Sequence, residues 1–195
     1  AKVAMEVDEC DIAGSLLGKP LDLVKCKTID VEVPAEAEIV LECELLGNEH
    51  EDEGPVAEFT GYTSSRSTRS ILIVKAVTRR NKPIYIDITP GTSSEHLLMA
   101  AIGRHARDYV RLKEIVPGLK AINFPRSGVN YHAYFSFKKL TEGEARRALM
   151  LLFGLDPYLK LAIAVDEDID VFNESEVLWA LATRFQADTD MFVVP

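Results

Sequence analysis

From Ile39 to Leu45 apolar and acidic side chains alternate, with Ile39, Leu41, Cys43 and Leu45 on one side and Glu38, Glu42 and Glu44 on the other. A period of two predicts a strand with its apolar face on a core and its acids in water. Upstream, Asp8 reads as the N-cap of a short helix over 8–17. Glu9 and Asp11 suit its positive end, Ile12, Leu16 and Leu17 face a core, and Gly18 stops it. Leu21, Val24, Val31 and Val33 supply short strand material that ends at Pro34. A strong strand over 71–78, a turn over 79–83 and a return strand over 84–88 predict a hairpin. Thr92-Ser93-Ser94-Glu95 forms a capping box that opens a helix running to about Val116, with Leu97, Leu98, Ala101, Ile102, His105, Tyr109 and Leu112 as its inner stripe.

Pro117-Gly118 breaks the chain before a strand over 119–124 and a turn over 125–128. The strand over 131–137 places Tyr131, Ala133, Phe135 and Phe137 on one face and His132 and Tyr134 on the other. Thr141-Glu142-Gly143-Glu144 is a second capping box, whose helix runs to Phe153 and ends at Gly154. The apolar run 161–165 predicts a strand buried on both faces. Residues 173–176 cap a last helix over 177–185, and the final residues up to Val194 read as a strand. Hairpins come first and strand–helix alternation later, so the fold class is α+β, as a small antiparallel barrel with helices packed outside.

The chain has 195 residues, which favours one domain or little more. Its net charge of −9 argues against a nucleic-acid surface. No apolar run reaches the roughly 18 residues of a membrane span. Ala1-Lys2-Val3-Ala4-Met5 has no signal-peptide core. Cys10, Cys26 and Cys43 contain no CxxC pair and fit reduced thiols in a cytoplasm. A start without Met and a stop inside an apparent strand suggest an excerpt of something longer. Gly-rich phosphate loops, GxSxG, HExxH and internal repeats are absent.

The chemistry concentrates in Glu53-Gly54-Pro55-Val56-Ala57-Glu58-Phe59-Thr60-Gly61-Tyr62. Two carboxylates five residues apart would face opposite ways on an unbroken strand, but Gly54-Pro55 breaks the path and allows a loop to aim both into one site. The apolar flank of Val56, Ala57, Phe59 and Tyr62 predicts partial shielding of Glu58, which would suit it to proton transfer near neutral pH. The alternative is a polar loop with solvated acids. The loop over 47–52, rich in acids around His50, is weighed as a metal site and read as solvated. Arg66 and Arg69, in a small polar loop, could meet an anion such as a phosphate, or the loop could simply be mobile. His96 and His105 point to opposite sides of their helix, with His105 read as packing beside the core; His132 reads as a hydrogen-bonded structural residue. Acids at 166–170 mark where a strand reaches water.

Three motifs resemble the UbiD family, whose members decarboxylate or carboxylate unsaturated and aromatic acids with prenylated flavin mononucleotide. Residues 53–62 look like the family's EGPFGE-x-x-GY, with Val56 and Ala57 departing from its Phe and Gly. Residues 8–20 look like its E-x-x-x-AG-x-L-x-G-x-P segment. Residues 165–171 with 177–184 look like its VDDDIDV…VLWA-x-x-TR signature. The resemblance implies a carboxy-lyase that removes CO2, reversibly, from an aromatic or α,β-unsaturated acid through a covalent adduct of the prenylated flavin. It matches Glu58 to the acid/base, Glu53 to the acid that pairs with an Arg, and Glu9 to a ligand of the divalent metal bridging to the flavin phosphate. The implied cofactors are prenylated FMN, manganese and a potassium ion. The implied partners are a flavin prenyltransferase that supplies the cofactor and further copies of the parent chain. The family's Arg, metal-binding Asn and His are expected before Ala1, and its flavin Lys beyond Pro195. Residues 1–20 then correspond to the end of a flavin- and metal-binding segment. Residues 21–172 correspond to a split-barrel domain of flavin-reductase type, and 173–195 to a linker helix entering a C-terminal domain. A non-catalytic flavin-binding or subunit-contact module of a multi-subunit carboxylase is the alternative.

Overall fold

The computed structural model describes residues 6–194. The opening segment 1–5 and Pro195 lie outside them. The chain divides into two compact units, Ala1–Val56 with Thr63–Ile88, and Ala57–Tyr62 with Thr89–Pro195. The division falls inside the single domain expected over 21–172. Among the described residues no helix is long and apolar enough to cross a membrane.

The first unit holds helix α1 (Glu9–Leu17), the short antiparallel pair β1 (Leu23–Lys25) and β2 (Glu32–Pro34), and a long hairpin of β3 (Ile39–Glu53) with β4 (Ser67–Arg79). Helix α1 has the predicted caps. The Asp8 carboxylate accepts from the Cys10 N–H at 2.7 Å, and Gly18 takes φ +73° to return its N–H to the Gly14 and Ser15 carbonyls. Leu16 and Leu17 are nevertheless exposed and face no core within this unit.

The hairpin departs from the sequence expectation in three ways. β3 does not end near Leu45 but runs on to Glu53, through the 47–52 segment expected to be a loop. Residues 50–53 pair with 67–70 beyond an irregularity after Leu46. Residues 84–88 form no return strand; the Ile84 N–H instead donates to the Glu38 carboxylate at 2.9 Å, and the second edge of β4 pairs with no strand among the described residues. The alternation of β3 is also inverted. Leu41 and Leu45 are exposed, whereas Glu42 is the one fully buried side chain of this unit among the described residues. The Glu42 carboxylate accepts from the backbone N–H of Lys27 and Thr28 and from the Thr28 hydroxyl, so its charge is hydrogen-bonded rather than solvated.

The second unit is built on a three-stranded sheet in the order β5 (Leu119–Asn123), β6 (His132–Phe137), β7 (Leu161–Asp166). β5 and β6 are antiparallel; β6 and β7 are parallel, joined through helix α3 (Glu144–Leu155). The strand buried on both faces is the central β6, not β7 as expected. Its Ala133, Phe135 and Phe137 join a core with Leu112 of helix α2 (Ser94–Ile115), Val116 at its C-cap, and Ala148 and Leu152 of α3. Its Tyr134 faces the opposite way, into a second cluster with Val165, Ile169, Val171 and the Val177 and Ala180 of helix α4 (Glu174–Arg184). The inner stripe of α2 is narrower than predicted. Leu97, Ala101 and Leu112 are buried, while Leu98, Ile102 and Tyr109 are exposed.

Caps are again local, though α2 starts from Ser93 and α3 from Gly143, which offers no side-chain cap, instead of from Thr92 and Thr141. Ser93 accepts from the His96 N–H, so the box is centred one residue later than Thr92. The Glu144 carboxylate accepts from the Leu140 and Thr141 N–H groups, and Asn173 caps α4. The end of the chain forms a one-turn helix, α5 (Ala187–Asp190), and no strand through 191–194.

The whole is a mixed α+β fold of three small sheets. The strands form no closed barrel among the described residues.

Candidate functional site

Glu53 is the last residue of β3, opposite Ser67 in register. Its carboxylate is about two-thirds exposed and has the equally exposed Arg69 guanidinium 3.6 Å away. Arg69, expected in a polar loop able to meet an anion, instead stands on β4. Immediately after Glu53 the chain leaves the strand. Gly54 takes φ +87°, a conformation that L side chains resist, and the Gly54-Pro55 peptide is cis. The Ser64 side chain accepts from the Val56 N–H at 3.1 Å, and the Ser64 N–H donates to the Val56 carbonyl at 2.8 Å. These bonds pin the neck of the connection between β3 and β4.

Glu58 lies in the segment Ala57–Tyr62, which belongs to the second unit. It sits at the start of a tight turn. Its N–H donates to the Tyr62 carbonyl at 2.8 Å, and its own carbonyl accepts from Gly61, whose φ is +85°. Glu58 is half-buried, as the sequence suggested, but the expected source is wrong: Val56, Ala57 and Tyr62 are exposed, and Phe59 alone of that flank is half-buried. Phe59 packs on His96 and Tyr131, two residues that the sequence reading did not connect to the motif. The only signal for this was the aromatic character of all three.

Glu9 is the first residue of α1 and is exposed. Beside it, partial burial and then the Asp8 carboxylate push the Cys10 thiol up from its ordinary value, so it remains a thiol. An open groove of about 480 Å³ lies between α1 and residues 18–23, bordered by Cys10, Asp11 and Ser15; Glu9 does not line it. Gly14 closes its floor, where a Cβ would come within 3.1 Å of the Lys19 carbonyl.

No three of the described His, Cys, Asp or Glu side chains converge as a metal cage. The acids of 49–53 are spread along exposed strand positions. Asp168 accepts a two-pronged bond from Arg184 at 2.8 and 2.7 Å, Asp166 a single one at 3.0 Å, and Arg184 thereby holds the Asp168 carboxyl below its usual range. Glu9 is a single exposed carboxylate and forms no metal cage with other described residues. His105 stacks on Phe124 at 4.5 Å, which agrees with its reading as a packing residue.

Comparison with known proteins gives one answer along the chain. Residues 1–93 match the family model described as 3-octaprenyl-4-hydroxybenzoate carboxy-lyase Rift-related domain, and residues 97–195 match that of the C-terminal domain of the same carboxy-lyase. The structure of the UbiD-class enzyme HmfF from Pelotomaculum thermopropionicum in complex with FMN is 42% identical, covers 100% of this chain and 44% of its own, and superposes with a TM-score of 0.93. An evolved dimeric form of HmfF in complex with prFMN gives 41% and 0.94, with 100% and 46% covered. Phenolic acid decarboxylase of Bacillus subtilis is 36% identical over 96% of this chain and 40% of its own. Anhydromevalonate phosphate decarboxylase of Methanothermobacter thermautotrophicus is 32% identical over 99% and 45%. The chain therefore spans less than half the length of the relatives it matches.

Proposed function

The chain belongs to the UbiD family of carboxy-lyases, and we propose that the protein containing it decarboxylates, reversibly, an aromatic or α,β-unsaturated carboxylic acid with prenylated FMN. The likeness to HmfF over the full chain, at 42% identity and a TM-score of 0.93, is the observation that carries this reading. When bound, the prenylated flavin would supply the sink for the electrons released as CO2 departs.

This chain's own residues have three tasks in the proposal. Glu58 hands a proton to the carbon that has lost its carboxylate, and takes one back in the reverse direction. Its half-buried place on a hydrogen-bonded turn supports that role, because a proton carrier must be held in reach of one atom. Glu53 pairs with an arginine and keeps a negative charge near the reacting carboxylate's path. Its position at the end of β3, fixed by the Gly54 turn, supports it. Glu9 would offer one carboxylate oxygen to manganese, with the other ligands, and a potassium ion, held by groups beyond those assigned here. The strand-rich residues are read as part of a split barrel, and the parent as a homo-oligomer supplied with cofactor by a flavin prenyltransferase.

The test is production of the full-length protein together with a flavin prenyltransferase, with manganese present. Phenolic, heteroaromatic and acrylic acids are then screened for CO2 release. Turnover of at least one acid, lost without the prenyltransferase, is expected. Absence of turnover across the panel by protein carrying the prenylated flavin would overturn the proposal.

A further inference from the structure

The turn that carries Glu58 has one large apolar side chain that is not exposed, Phe59. Its ring meets His96 at 6.0 Å between centroids with planes at 69°, and Tyr131 at 5.6 Å with planes at 84°. Both are edge-to-face contacts, in which the positive rim of one ring meets the negative face of another.

Each partner is fixed by its own element. His96 stands in the first turn of α2, its N–H donating to Ser93. Its Nδ1 is buried and has no hydrogen-bond partner among the described residues, so packing is what the ring contributes to the turn. Tyr131 is held through its carbonyl, which accepts from Lys160 and Leu161 at the head of β7. Its ring lies parallel to Tyr158 at 6.4 Å, with the Lys160 ammonium 5.3 Å from its centroid.

The far side of the turn is bounded as well. A Cβ on Gly61 would come within 3.1 Å of the Thr92 methyl, and Arg126 holds that region by donating to the Thr92 carbonyl and to Ser94. The residue next to Glu58 is therefore located by two parts of the unit, α2 and the residue that leads into β6. We propose that Phe59, clasped between His96 and Tyr131, is a positioning residue that sets where the Glu58 carboxylate stands. The proposal rests on the reading of Glu58 as the proton carrier.

The experiment uses the full-length protein, loaded with cofactor, and the acid it turns over fastest in the panel above. Phe59→Ala is compared with Phe59→Tyr by steady-state kinetics and by hydrogen–deuterium exchange of a peptide spanning 57–62. Phe59→Ala should speed exchange there while leaving α2 and β6 protected. It should lower kcat about 10- to 100-fold with little change in KM, because a small displacement of a proton carrier is felt in the chemical step. Phe59→Tyr, which keeps the ring, should recover most of both losses. Unchanged exchange in Phe59→Ala, or a loosened turn with a normal kcat, would overturn the positioning role. A Glu58→Gln protein with normal turnover, or a panel with no turnover, would instead overturn the reading on which it rests.

Discussion

Glu42 accepts hydrogen bonds from both the backbone N–H and the hydroxyl of Thr28, each at 2.6 Å. A third donor, the Lys27 N–H, approaches at 2.8 Å. A carboxylate at an apparent wet position of β3 thereby becomes the buried pin of the strand-rich unit, tying the 27–28 turn to the long hairpin.

The Lys27 N–H, and after it the Thr28 hydroxyl, hold the Glu42 carboxyl below its ordinary value of 4.5. A group whose pKa falls on folding contributes stability above its unfolded value and loses it as pH falls through the folded one. The contribution of Glu42 should therefore be complete above about pH 4.5 and fade in more acid solution. Glu42→Gln should lower Tm by several degrees at pH 7 and by progressively less below that threshold. Thermal melts of wild type and variant across pH 3 to 7 check it; equal differences at all pH values would refute it.

Arg104 and Asp156 form a largely buried ion pair of the second unit. Asp156 is 2% exposed, and Arg104 also donates to the Asn130 carbonyl at 2.9 Å. Removing one partner strands a buried charge, so Asp156→Ala should cost about 3–5 kcal/mol in urea unfolding. The double variant Arg104→Met with Asp156→Leu should recover part of that loss, since an apolar pair leaves no orphan charge. Recovery should stay incomplete, because Asp156 also accepts from the Tyr158 N–H and the Asn130 carbonyl loses its donor.

Tyr134 is 3% exposed and donates its hydroxyl to Glu174 at 3.0 Å. Burial first, and then the Glu174 carboxylate, push the phenol up to about 12. Of the six tyrosines it should be the last to ionise in an ultraviolet titration, and Tyr134→Phe should remove that final phase. Because the unfolded phenol ionises near 10, stability should fall as pH rises from about 10 to 12, and the variant should lack that part of the decline.

Those three predictions concern contacts of different legibility. Caps such as Asp8 on Cys10 and Ser93 on His96 span two or three residues, so residue identity reveals them to within a residue: Asp8 caps α1 as expected, and the box of α2 was expected one residue early. Glu42 misled because its three donors lie fourteen and fifteen residues away, where alternation carries no information. The return strand at 84–88 was expected from local propensity, which says that a segment can pair but not whether a neighbouring edge will take it up; β4 pairs with β3 alone. In the candidate site, the identity and spacing of Glu53 and Glu58 were readable, and so was the break at Gly54-Pro55. The clasp of Phe59 by His96 and Tyr131 was not, since it joins three distant stretches of chain through packing alone.

Glu53 offers the cleanest separation of chemistry from stability. Its carboxylate is two-thirds exposed at a strand end, and its ion-pair partner Arg69 is equally exposed at 3.6 Å. Exposed pairs of this length contribute little, because solvent screens them and two flexible side chains must be held still. Glu53→Gln keeps the shape and removes the charge, so unfolding free energy should change by no more than about 0.5 kcal/mol. Arg69→Ala should be equally silent in a thermal melt. If Glu53 has the catalytic role proposed for it, its amide variant in the full-length protein should nevertheless lose roughly 100-fold or more in kcat with the cofactor still bound. Flavin absorbance and a melt confirm the loaded, folded state while CO2 release is timed. Normal turnover in that sample would remove Glu53 from the chemistry, and a lowered Tm would show that its charge serves the hairpin instead.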